Sequence, residues 1–140
     1  MNRIVVDKLI KAFPFYADLK LLELPDGWLK IVNELFCDFR DIQKMMPGHM
    51  PLDPDIQIVA VYWKQLQWPS HVLYVKSVVH HRHWTPEMSA RLIQVVGRFN
   101  EFSQHTCEVC GDQSVTVLKY QDGRRQQSLC QVHLEERRWS

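Results

Sequence analysis

Apolar residues recur at helical spacing through the first third of the chain. Between residues 3 and 13 they fall at Ile4, Val5, Leu9, Ile10 and Phe13, which predicts a short amphipathic helix stopped by Pro14. Residues 19–24 are apolar without a clear period and are compatible with a strand. Pro25-Asp26-Gly27 then reads as a turn, with Asp26 placed to cap the next helix. From there Trp28, Val32, Leu35, Phe39, Ile42 and Met46 follow at alternating steps of four and three. That is one face of a helix about five turns long, widened by Ile31 and Phe36, and it reads as core packing rather than a cofactor site. Pro47-Gly48 ends it, and residues 49–55, with Pro51 and Pro54, form a connecting loop.

The period then changes to two. Ile56, Ile58, Ala60 and Tyr62 point one way and Val59, Val61 and Trp63 the other, so residues 56–63 predict a strand. Trp68-Pro69-Ser70 is a turn and residues 71–79 a second, antiparallel strand. Thr85-Pro86-Glu87 supplies a cap hydroxyl, a proline at the first helical position and an acid in the first turn. Met88, Leu92, Val95, Phe99 and Phe102 form the buried stripe of that helix. Helices packed on one face of a small antiparallel sheet give an α+β class.

Past residue 105 the pattern is set by cysteines. Cys107-Glu-Val-Cys110-Gly111 is followed by a hairpin-length insert and then Cys130-Gln-Val-His133. Three thiolates and an imidazole match the tetrahedral ligand set of zinc, and the paired two-residue gaps let both members of each pair reach one ion. Gly111 suits a left-handed turn after the first knuckle. Val115, Val117 and Leu118 face Ser128 and Leu129 across a Gln121-Asp122-Gly123 turn, so the insert reads as two short strands. The prediction is an α+β body over residues 1–105 and a zinc ribbon over residues 106–140. The helical stripe runs to within a few residues of Cys107 without a flexible linker, so the ribbon is expected to dock on the body. Four protein ligands close the shell, which makes the Zn²⁺ structural. His105 competes with His133 for the fourth position; the symmetry of the two pairs favours His133.

Composition narrows the classes. The net charge is +1, and from residue 107 onward five basic residues (Lys119, Arg124, Arg125, Arg137, Arg138) balance five acidic ones (Glu108, Asp112, Asp122, Glu135, Glu136). Charge therefore gives no general push towards nucleic acid, although Arg124 and Arg125 can form a local patch. No apolar run is long enough to span a bilayer, and the N-terminus does not read as a secretory signal. A thiolate metal site beside the single remaining thiol, Cys37, fits a reducing, cytoplasmic compartment. Cys37 itself reads as a small buried hydrophobe.

His80-His81-Arg82-His83 is the other conspicuous cluster. With no carboxylate or cysteine at ligand spacing beside it, it reads as a polar loop. A metal nuclease of the His-Asn-His kind would need a histidine between or close to the knuckles, and residues 111–129 contain none. The zinc deaminase signature, a phosphate loop and a nucleophile elbow are absent.

Three stretches together resemble a family of small phage and prophage-associated bacterial proteins. They are Asp26-Gly27-Trp28-Leu29 opening a helix, a central strand pair, and a long helix running into Cys107-Glu108-Val109-Cys110-Gly111 with a later Leu129-Cys130-x-x-His133. The chain departs from that family at Tyr62-Trp63-Lys64-Gln65-Leu66-Gln67-Trp68-Pro69, where a lysine- and glycine-containing strand is usual. The resemblance implies no catalytic activity and a mobile-element setting in a bacterial host, where such proteins bind and block a host or competitor protein. The expected function is thus a non-enzymatic, zinc-stabilised binding protein. Its contact residues are expected among Trp68, Trp84, Trp139, Arg124 and Arg125, since aromatic and arginine anchors dominate protein interfaces. Trp28 and Trp63 are assigned to the core. The alternatives are a nucleic-acid module using the ribbon hairpin and a metal-dependent nuclease.

Overall fold

A computed structural model describes residues 1–46, 57–79, 83–113 and 116–138, with the side chain of residue 138 left out. The elements are α1 (Arg3–Ala12), α2 (Leu29–Gln43), β1 (Val59–Gln65), β2 (His71–Ser77), α3 (Pro86–Gln104), β3 (Thr116–Leu118), β4 (Gln127–Leu129) and α4 (Gln131–Arg138). Strands β1 and β2 form one antiparallel sheet and β3 and β4 another, so the class is α+β as expected. The stretch 19–24 adds no third strand. Asp18 accepts the Lys20 N–H, and Leu19–Glu23 winds into a 3₁₀ turn that buries Leu21 and Leu24, three residues apart.

The stripe on α2 is buried throughout, from Trp28 to Met46, and packs against α3 through Val95 and Phe99. Phe13 and Tyr16 close the other side, with ring centroids 5.4 Å from Phe36 and 5.3 Å from Phe39, respectively. Thr85 caps α3 by accepting the Met88 N–H, with Pro86 at its first position. Asn100 on α3 holds the sheet: it accepts the Leu73 N–H at 2.9 Å and donates to the Leu73 carbonyl at 3.2 Å.

Several expectations need correction. Val6, not Ile4, is the buried residue at the start of α1; Ile4 is 70 % exposed. Asp26 makes no side-chain cap; its carboxylate lies 3.4 Å from the Met1 ammonium, and Asp26–Trp28 is a 3₁₀ turn leading into α2. Cys37 is exposed, because one residue past Phe36 is about 100° around the helix and off the buried face. Phe102 is 47 % exposed, because the buried stripe of α3 continues from Phe99 to Ser103, about 100° further round the helix. The proline-rich loop after α2, Val115, Trp139 and the histidine cluster except His83 lie outside the described residues.

Candidate metal centre

Local structure brings the four predicted ligands together. Helix α3 ends at Gln104, and the Thr106 hydroxyl donates to the Phe102 carbonyl, turning the chain into Cys107. The first knuckle is closed by Cys107 N–H donating to the Asp112 carbonyl at 2.8 Å and Gly111 N–H donating to the Cys107 carbonyl at 3.0 Å. Gly111 adopts φ +84°, the left-handed turn its missing Cβ permits. Strand β4 ends at Leu129 and α4 starts at Gln131, so Cys130 stands at the junction and His133 in the first helical turn. The second pair is therefore carried by a helix start rather than by a second loop, a departure from two matching knuckles.

One ligand atom from each of Cys107, Cys110, Cys130 and His133 lies within 4.8 Å of the others, and the group can hold a metal ion. Two of the spacings match a tetrahedral site. Bonds of about 2.3 Å to sulfur and about 2.0 Å to nitrogen imply edges of about 3.8 Å between sulfurs and about 3.5 Å between sulfur and nitrogen. Cys110 Sγ is 3.7 Å from Cys130 Sγ, and Cys107 Sγ is 3.5 Å from His133 Nδ1. The Cys130 Sγ to His133 Nδ1 distance is shorter, 3.1 Å. His133 thus turns Nδ1 to the cluster, and its Nε2 lies 3.9 Å from the Glu136 carboxylate one turn on. A carboxylate behind a ligand histidine is a recurrent orienting arrangement. His105 is exposed at the end of α3 and is not part of the group.

The two thiols of the first knuckle are shifted in opposite directions. Burial pushes Cys107 up, but N–H groups of Cys130, Cys110 and Val109 outweigh it and leave its pKa at about 7. Cys110 is pushed up to about 12, by burial and then by its hydrogen bonds to the neighbouring thiols and the charge on Cys107, against the pull of the Asp112 N–H. A divalent cation at the centre inverts that balance.

Glu108, between the two cysteines of the first knuckle, is a buried carboxylate. It accepts from Arg125 at 2.7 Å and from the Ser128 N–H at 2.6 Å, while its own N–H donates to the Ser128 carbonyl. It ties the knuckle to β4. An acid inside a Cys-x-x-Cys interval was the signal that could have found it.

Hydrogen bonds join the body to this segment. Gly27 donates its N–H to the Glu108 carbonyl at 2.9 Å, and a Cβ there would sit 2.0 Å from the Cys107 carbonyl oxygen. Trp68, in the turn between β1 and β2, donates from Nε1 to the Ser128 hydroxyl at 2.6 Å, and Gln67 donates to the Arg124 carbonyl. His71 is buried near the junction. Burial lowers its pKa; Glu23 and Glu108 oppose this, and Arg125 adds to it.

The expected contact residues are mostly occupied internally. Trp68 is half-buried against β4, and Arg125 pairs with Glu108. Arg124 is exposed, but it pairs with Asp122 at 2.7 Å and lies over the Tyr120 ring. Trp84 is half-buried against the core. Among the described residues no helix is long and apolar enough to cross a membrane. No protein-family model, no curated protein and no solved structure matches the chain.

Proposed function

We propose that the protein is a non-enzymatic binding protein whose C-terminal segment is built around a structural Zn²⁺ held by Cys107, Cys110, Cys130 and His133. The observation that carries this reading is the four-residue cluster, in which one sulfur–sulfur edge of 3.7 Å and one sulfur–nitrogen edge of 3.5 Å match a tetrahedral site. Zinc is the metal chosen because three thiolates and one imidazole are its usual closed set. Its binding free energy would be folding free energy for residues 106–140, and the Gly27 and Trp68 contacts would pass part of it to the body. Action on a host or competitor protein rests on the resemblance to phage-associated proteins. Nucleic acid is a second reading, favoured by the exposed Tyr62 and Tyr74 on the β1–β2 sheet.

Cobalt substitution tests the closed shell. The Co²⁺ form should give an intense tetrahedral thiolate spectrum that excess azide or thiocyanate leaves unchanged. A spectrum that shifts on adding either anion reveals an exchangeable position, and the structural assignment then fails.

A further inference from the structure

The outward face of the β1–β2 sheet is largely exposed. Alternation turns Val59, Val61, Trp63, Leu73 and Val75 towards the core. It leaves Ala60, Tyr62, Lys64, Val72, Tyr74 and Lys76 on the other side. Tyr62 and Tyr74 are directly opposite each other in the register and are 50 % and 51 % exposed. Neither ring stacks on another aromatic ring among the described residues. Lys64 lies two residues beyond the tyrosine pair on one strand and Lys76 two residues beyond it on the other, towards opposite ends of the sheet. Strand rise and spacing put their Cα atoms about 14 Å apart, diagonally across the two rings.

The charge is as uneven as the geometry. All sixteen acidic residues of the chain fall outside residues 56–86, a stretch that contains Lys64, Lys76 and Arg82. Cross-strand acid–base pairs would stabilise a purely structural face. Here Lys76 lies opposite Ala60 and Lys64 opposite Val72, and neither lysine has an ion pair among the described residues. Two unpaired cations flanking two exposed aromatic rings are complementary to a chain of planar rings joined by anions.

We propose that this face binds single-stranded nucleic acid, with bases stacked on Tyr62 and Tyr74 and backbone phosphates on Lys64 and Lys76. Stacking on exposed aromatic rings is tolerant of sequence, and a flanking cationic track supplies the affinity for the backbone. A duplex keeps its bases paired and stacked, so it offers nothing to the tyrosines. The face is separate from the metal centre, and its test does not depend on which metal is bound.

The experiment is fluorescence anisotropy of labelled dT12, rU12 and a 12-base-pair duplex with the metal-loaded full chain, across a salt series. At least one single strand should bind more tightly than the duplex, and the two single strands distinguish DNA from RNA. Tyr62→Ala and Tyr74→Ala should each weaken it roughly 5- to 150-fold, the range for losing one base stack. Tyr62→Phe, which keeps the ring, should retain binding. Lys64→Ala and Lys76→Ala should each reduce the slope of log K against log salt by about 0.7. The proposal is overturned by absence of binding, by equal affinity for the duplex, or by binding that Arg124→Ala abolishes while the tyrosine variants leave it intact. It is also overturned if Tyr62→Ala and Tyr74→Ala abolish only self-association of the chain or its capture of a protein.

Discussion

Replacing Gly27 by alanine puts a methyl group where the knuckle backbone already is. The new Cβ would meet the Cys107 carbonyl oxygen at 2.0 Å, Gly111 N at 2.8 Å and Glu108 C at 2.9 Å, all backbone atoms. None of them can swing aside like a side-chain end. Relief requires the knuckle and the start of α2 to separate by more than an ångström, which breaks the Gly27 N–H to Glu108 bond. Losing that bond costs about 1 kcal/mol. Overpacking adds roughly 1–3 kcal/mol. Reduced entropy of the unfolded chain offsets about 0.4–1 kcal/mol. The net loss is roughly 1–3 kcal/mol, or roughly 4–12 °C in Tm for a chain of this size. Gly97→Ala is the control: nothing lies within 4 Å of its Cβ, on an exposed turn of α3, so it should hold or raise Tm. Circular dichroism at equal zinc gives both melting points, and amide exchange at residues 107–112 reports whether the knuckle has loosened. If Gly27→Ala melts with the wild type and its knuckle amides stay protected, the body and the metal segment are not packed as described.

Glu108→Gln removes the charge that holds Arg125 and weakens the acceptor for the Ser128 N–H, so it should cost about 1–3 kcal/mol in chemical denaturation. Thr85→Ala deletes the α3 cap and should cost about 1 kcal/mol, with no change in metal content. Burial pushes the Tyr16 phenol up to about 12, against the pull of Arg40. The folded state therefore holds this proton more tightly than the unfolded state, and stability should fall as pH rises from about 10 to about 12. Ultraviolet difference titration should find one tyrosine ionising after the rest; if all ionise together near pH 10, Tyr16 is not buried as described.

The legible parts of this fold were those set by local periodicity or local chemistry. The α2 stripe, the Thr85-Pro86 helix start, the alternation in β1 and the Gly111 turn each need only neighbours in sequence. What escaped depends on distant contacts. Gly27 was read as a turn residue, and its stronger constraint is a carbonyl eighty residues away. Helix α4 shows little apolar periodicity: Leu134 is its one buried side chain among the described residues, and its start is set by the β4 junction. Net charge hid the acid-free sheet face because the rest of the chain compensates for it. The Cys107, Cys110, Cys130 and His133 cluster was legible because its spacing is itself the chemistry.

Native mass spectrometry of the full chain, purified without chelator, tests the central claim most directly. The wild type should carry one Zn²⁺ per chain, and Cys130→Ser prepared in the same way should lose it. A wild-type chain without zinc, or a Cys130→Ser chain that keeps a full equivalent, would contradict the account.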